Sequence, residues 1–366
     1  MSFKFSFPIS VLLLTSLPMY VNGQGGAGGG PAAIQNLQDQ IDALKLITVT
    51  ADCGADPAAL QQAIDETPAS GSLIDIIGAC DAAIISGKRN IFLFSGVNAT
   101  ISGDVTDSSN AALAILGSEA IQMAGLTLLA NGDNSALYVS QSDVQLNGIA
   151  LQDGIDAVHI DNGSTAMFSG VTSISTTSND GDALLASNSS LVSADGDFNV
   201  DNNNTSGLGN AIHMDVNSTF NQNGGTLTVN GSLVVSENSA ASVRNATIDA
   251  TTTNGAFSAY RGSSIRFQPG VGETVALSAQ GTLSQVTGGS SIRVDGSAGH
   301  VSLSGSFLVL SRLGSIFLAN PPVLNPTGSV TLDIDTLFVR QNAVMDIIGD
   351  LVYTTVPTIT LTTGAG

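Results

Sequence analysis

Short apolar segments return along this chain at intervals of 20 to 30 residues, and few architectures accommodate that. Ser135-Ala-Leu-Tyr-Val-Ser, Asp156-Ala-Val-His-Ile-Asp, Asp182-Ala-Leu-Leu-Ala-Ser and Asn210-Ala-Ile-His-Met-Asp align on Ala136, Ala157, Ala183 and Ala211, with spacings of 21, 26 and 28. A second column aligns the inward residues Val144, Ala166, Val192, Phe220, Val243, Ile265 and Ile292, most of them preceded by serine or threonine, with glycine often four residues later, as at Gly148, Gly170, Gly196, Gly224 and Gly296. Runs of four to six residues rich in Val, Ile, Leu, Thr and Ser, punctuated by Asn-Gly, Asp-Gly and Gly-Gly, read as strands and turns. A repeat of this length predicts a solenoid in which each coil buries small aliphatic side chains and its backbone pairs with the coils above and below.

Coils stacked about 4.8 Å apart predict that roughly ten of them between Ala99 and Gly349 form a rod on the order of 50 Å long. Recurrent Asn and Ser suit turns in left-handed geometry or side-chain ladders, which accounts for much of the polar composition without chemistry. Only 11% of residues are charged while 43% are hydrophobic, and the mean hydropathy is positive, so the chain is not a solvated coil. A net charge of −20 with only ten Lys plus Arg excludes nucleic acid and anionic lipid as partners.

The first residues read as a secretory leader: Lys4, an apolar stretch from Ile9 to Leu14, and the small-residue exit Val21-Asn22-Gly23, with cleavage expected after Gly23. Pro8 and Pro18 leave the run short for a membrane span, and no later run has membrane length. Secretion from a bacterial cell to the exterior or the cell surface follows, and in that oxidising setting Cys53 and Cys80 are expected to pair. Without a neighbouring third ligand the two cysteines make a poor zinc site, and no resident metal is expected. Residues 24–46 comprise a glycine-rich tether and an amphipathic stripe, Ile34, Leu37, Ile41 and Leu44, that offers a route to self-association. Residues 47–98 are assigned to an N-terminal cap and first coils, and 99–366 to the helix proper. Within the cap, Asp56 and Pro57 predict a helix start, with Leu60, Ala63 and Ile64 forming its apolar face and an end near Thr67-Pro68.

The stretch from Ile47 to Asp104 resembles the N-terminal cap and first coils of secreted bacterial right-handed parallel β-helix proteins of the pectate-lyase-like superfamily. Cys53, Leu60, Gln61, Ala63, Ile64, Gly78 and Cys80 carry the resemblance. It implies an all-β, right-handed parallel β-helix with a short N-terminal capping helix. It leaves function open, because that superfamily includes lyases, hydrolases, epimerases, tailspikes and adhesins.

The Asp-Asp, Gly-His-Gly and Arg-x-Lys motifs of a polygalacturonase-type hydrolase are absent; His300 stands in Gly-His-Val, and no lysine follows Lys88. A calcium-assisted lyase would need a cation to take the proton and several carboxylates for the metal. The repeats themselves offer two candidate surfaces. Tyr138, His159, Leu185 and His213 fall on one outward phase, followed two residues later by Ser140, Asp161, Ser187 and Asp215. This places the His159/Asp161 and His213/Asp215 pairs two coils, about 10 Å, apart, a spacing suited to successive sugars. Arg244, Arg266 and Arg293 form a second expected column, able to grip acidic polysaccharide or to neutralise nearby Glu273 and Asp295. Asp180-Gly181-Asp182 and Asp195-Gly196-Asp197 could hold calcium, but without the nonapeptide glycine-aspartate repeat they read as isolated turns, and the Asn-x-Ser/Thr sequons follow from composition.

These observations favour a noncatalytic secreted β-helix that binds polysaccharide or cell-surface glycan in the manner of an adhesin. The alternatives are a polysaccharide lyase or other carbohydrate-active enzyme on acidic polysaccharide, with calcium as a cofactor only in the lyase case, and a self-assembling structural rod.

Overall fold

The computed structural model describes residues 46–105, 110–132, 134–178, 181–202, 209–250, 255–320, 328–349, 352–353 and 357–362. The chain divides into units 1–45 and 46–366, so the leader, the tether and the stripe from Ile34 to Leu44 lie outside the described residues. The second unit is an all-β parallel solenoid of about 11 turns.

Each central coil contributes three short strands, and each strand pairs in parallel with its equivalents one coil away. Face A contains Ser135–Ser140, Val158–Asp161, Leu184–Ala186, Ile212–Met214, Leu233–Val235 and Phe257–Tyr260. Face B contains Asp143–Asn147, Thr165–Ser169, Leu191–Asp195, Thr219–Gly224, Ala240–Val243, Ser264–Phe267 and Ser291–Asp295. Face C contains Ala150–Gln152, Thr172–Thr176, Phe198–Asn202, Leu227–Asn230, Ala246–Ala250 and Thr274–Ala279.

Strand alternation decides what is inside. On face A, Leu137, Val158, Leu184, Ile212, Leu233 and Phe257 stack inward and are fully buried, while Tyr138, His159, Leu185 and His213 point out. Phe168, Phe198 and Phe220 thicken the core where three coils meet, with ring centroids 4.9 and 6.3 Å apart. Each such ring contributes roughly 2 to 3 kcal/mol by burial.

The corner from face A to face B is the most regular feature. Two successive residues there adopt positive φ in coil after coil: Asn188 and Ser189, Val216 and Asn217, Glu237 and Asn238, Arg312 and Leu313. Even Val216 and Leu313 accept this costly left-handed conformation. A buried serine follows and binds the next coil. The hydroxyl of Ser142 accepts from the amide of Ser118 at 2.9 Å, Ser164 from Ser142 at 3.2 Å, Ser218 from Ser190 at 3.2 Å, Ser239 from Ser218 at 2.9 Å, Ser263 from Ser239 at 3.2 Å and Ser290 from Ser263 at 3.1 Å. This ladder satisfies amides that the turn withdraws from the strand pattern.

Coil length varies at the opposite edge, between face C and face A. The separating segments run from Thr176 to Leu184, Asn202 to Ile212, Asn230 to Leu233 and Ala250 to Phe257, without disturbing the register of the strands that follow.

At the N-terminal end the helix Ala59–Asp65 buries Leu60, Ala63 and Ile64. The expected cap differs in detail. The Asp56 carboxylate accepts from the Ala58 amide at 3.1 Å, so Asp56-Pro57 forms a turn ahead of the helix, and Ala58 is the capping residue. Cys53 and Cys80 form a disulfide with Cα atoms 4.9 Å apart.

Candidate functional site on face A

The outward strip of face A assembles from registers that the sequence repeats anticipate. Tyr138 pairs with His159, His159 with Leu185, and Leu185 with His213, so the two histidines stand two coils apart as expected. Around each histidine the same three-part pattern recurs. His159 Nε2 lies 3.3 Å from Ser187 Oγ, which donates to Asp161 Oδ1 at 2.7 Å. His213 Nε2 lies 3.1 Å from Ser236 Oγ, which donates to Asp215 Oδ1 at 2.5 Å. In both cases the serine comes from the next coil and the aspartate from the histidine's own coil, two residues on.

The two copies differ at the other ring nitrogen. His213 Nδ1 lies 2.9 Å from Asp182 Oδ2, an aspartate one coil earlier. Asp182 is fixed in turn, because its Oδ1 accepts from the Asn210 amide at 2.7 Å and from Asn210 Nδ2 at 2.8 Å, and its own amide donates to Asp156 Oδ1 at 2.9 Å. His159 instead packs edge-on against Tyr138, with ring centroids 5.2 Å apart.

The electrostatics follow from these contacts. Burial opposes charge on His213, but the Asp182 hydrogen bond and the negative charges of Asp182, Asp215 and Asp156 outweigh it and raise its pKa above the ordinary histidine value. Burial raises the pKa of Asp156; the Asp182 amide partly offsets this, and the Asp182 charge adds to it. Burial also acts upward on Asp161, but hydrogen bonds from Asn188, Ser187 and Asn162, together with the nearby His159, hold its carboxyl below the usual range.

A groove of about 470 Å³ opens beside His213 and Ser236. Its shape comes from the corner. Arg261, Gly288 and Arg312 occupy one corner position in three successive coils, as the amide-to-carbonyl bonds Asn238 to Arg261, Gly262 to Gly288 and Gly289 to Arg312 show. Gly288 adopts a φ of +70° and leaves the gap between the two arginines. Tyr260 and Thr287, register partners on face A, line the groove, and Val234 completes the wall. Arg261 is ion-paired with Glu237, whereas Arg312 has no ion-pair partner among the described residues.

The expected arginine column is corrected by the register. Arg266 pairs with Arg293, but Phe220 pairs with Ala241 rather than Val243, so Ser242 and not Arg244 lies beside Arg266. Both Ala241 and Val243 face inward, and a two-residue slip preserves the side-chain alternation while moving the column. Arg244 begins the following turn, where the buried Gln222 accepts from its amide at 3.0 Å, and its side chain pairs with Glu273 at 3.3 Å. Arg293 lies 3.5 Å from Asp295 and sits over the Phe317 ring at 4.9 Å. Arg266 is exposed and has no ion-pair partner among the described residues.

Asp156, Asp182, Ser236, Tyr260, Arg261 and Arg312 join the site without having been singled out. Asp156 and Asp182 open the very segments aligned on alanine, so their recurrence was visible; Asp182 was read as part of a turn. Ser236 belongs to Leu233-Val234-Val235-Ser236, a coil whose serine replaces the marker alanine at position 232. Among the described residues no three His, Cys, Asp or Glu side chains converge to hold a metal ion. Among those residues no helix is long and apolar enough to cross a membrane.

No protein-family model matches this chain, and no curated protein matches it. Among solved structures it is similar to a chain described as Geobacillus virus E2 ORF18, at 12% identity and a TM-score of 0.37, over 90% of this chain. The chain spans 66% of that protein's length.

Proposed function

We propose that this chain is a secreted carbohydrate-binding protein that holds an extracellular glycan along face A, with the groove between Arg261 and Arg312 as its principal contact. The groove carries this reading. It combines a tyrosine ring, paired polar side chains at coil spacing and an unneutralised arginine on a protein of net charge −20, which otherwise offers few cations. Tyrosine supplies an apolar face and a hydroxyl to a sugar ring, and arginine supplies forked donors to its oxygens. The Cys53–Cys80 disulfide supports an oxidising compartment, as does the leader read in residues 1–23.

A glycan array probed with purified protein at two salt concentrations tests the reading. Binding that is lost in Arg312→Ala and kept in Arg266→Ala is the expected result. Absence of binding to every glycan, or binding indifferent to Arg312→Ala, overturns it.

A further inference from the structure

We propose that Asp182, His213 and Ser236 form an acyl-transfer site that hydrolyses ester-linked acyl groups. The choice of an acylated glycan as natural substrate rests on the binding reading above; the chemistry of the site does not, and it departs from the noncatalytic expectation.

Three observations converge. Asp182 Oδ2 to His213 Nδ1 is 2.9 Å and His213 Nε2 to Ser236 Oγ is 3.1 Å, so one imidazole bridges a carboxylate and a hydroxyl through opposite nitrogens. Such an arrangement orients the ring, fixes its tautomer and points a base at a nucleophile. The chain of contacts also ends at open space, since both His213 and Ser236 line the groove. Finally, the solenoid contains its own comparison. His159, Ser187 and Asp161 repeat the histidine–serine–aspartate contacts two coils earlier, but the position equivalent to Asp182 is Ser135, and the groove is lined by His213 and Ser236 rather than by His159 or Ser187. A repeat kept only for stacking does not require the extra carboxylate.

The step balances without a cofactor. Ser236 Oγ attacks the ester carbonyl carbon while its proton passes to His213 Nε2; Asp182 holds the Nδ1 proton and balances the imidazolium. The carbon–oxygen bond to the alcohol breaks, and the departing oxygen takes the Nε2 proton. Water then attacks the acyl-serine, giving one proton to Nε2, which returns it to Ser236 as the carboxylic acid leaves. Positive potential over the developing oxyanion comes from the groove arginines: Arg261 stands one coil beyond Ser236, and Arg312, three coils beyond it, acts at longer range.

Asp215 sets the resting state. Ser236 donates to Asp215 at 2.5 Å, so in this arrangement His213 donates from Nε2 and is doubly protonated. Turnover requires loss of the Nε2 proton, which Asp182, Asp215 and Asp156 hold in place, against the opposing charges of Arg261 and Arg312 across the groove. Activity therefore rises with pH through a midpoint above the ordinary histidine value. Asp215→Asn removes one of those negative charges and moves the midpoint down.

The full chain is tested with p-nitrophenyl acetate between pH 6 and 9 and with a fluorophosphonate probe located by peptide mass spectrometry. The expected outcome is a single adduct on Ser236 with none on Ser187. Turnover should fall on the order of 10³-fold or more in Ser236→Ala and in Asp182→Asn, the latter mainly in kcat. Melting temperatures confirm that the variants fold, and His213→Gln is a second variant should one fail. An adduct elsewhere, turnover unchanged in Ser236→Ala, or neither labelling nor turnover in the wild type overturns the site. Turnover without glycan binding overturns the binding reading alone, and glycan binding without turnover overturns the acyl-transfer site alone.

Discussion

Asp182 Oδ2 lies 2.9 Å from His213 Nδ1 across the gap between two coils of face A, and that contact makes the stability of the stack depend on pH. The folded pKa of His213 is raised above the unfolded value of 6.5, so the folded state binds the proton more tightly. The resulting stabilisation is fully present below pH 6.5 and is lost as pH rises through the folded pKa. Melting curves from pH 5 to 9 should show this decline in the wild type and a flatter profile in His213→Gln. Parallel profiles would contradict the linkage.

Asp161 responds in the opposite direction. Its folded pKa is held below the ordinary value of 3.8, so its contribution is present above pH 3.8 and disappears as pH falls through the folded pKa. Asp161→Asn should reduce the acid sensitivity of unfolding below pH 4, measured by urea titration at pH 2.5 and pH 5.

The serine ladder predicts a cost out of proportion to the size of the group removed. Ser239→Ala deletes a buried hydroxyl and leaves the Ser218 amide without its 2.9 Å acceptor. A loss of about 1 to 3 kcal/mol is expected by urea unfolding, the range for an orphaned buried donor.

Ser284 provides the converse. Its hydroxyl is buried on face A with no hydrogen-bond partner among the described residues, and its register partner is Phe257. Ser284→Ala removes an uncompensated polar group from the core and should leave stability unchanged or raise it by about 0.5 to 1 kcal/mol. A clear destabilisation would show that the hydroxyl is satisfied.

Gly288 links backbone geometry to the groove. A Cβ there would meet the Arg261 amide nitrogen at 3.1 Å, on a residue with φ of +70°. Gly288→Val should cost about 1 to 2 kcal/mol for the left-handed conformation and, by filling the gap between Arg261 and Arg312, weaken glycan binding. Binding by titration calorimetry, compared with Arg312→Ala, separates the two effects.

Much of the fold was legible because the strands of face A keep the same in-out phase from coil to coil. The alignment of Ala136, Ala157, Ala183 and Ala211 matches the observed register, and with it the placement of Tyr138, His159 and His213. Arg244 was misplaced because alignment on the larger inward residue, Val243, ignored the serine two places before each inward position. Ser142, Ser164, Ser190, Ser218, Ser263 and Ser290 obey that rule, and Ser239 selects Ala241. The groove was not legible for a different reason. Arg261 and Arg312 sit in a corner where neighbouring coils carry Glu237 and Gly288, and a repeat search sees no repeat there. What matters is the absence of a side chain between two long ones, which only the stacking order discloses.

The unequal segments between face C and face A separate two tasks that most folds entangle. A coil that gains or loses residues along that seam leaves the next strand starting at the same height, so selection can rewrite the border of the face bearing His159 and His213 while the frame beneath keeps its register. Mutational drift should therefore concentrate there, making the seam the natural place to graft new recognition onto this scaffold.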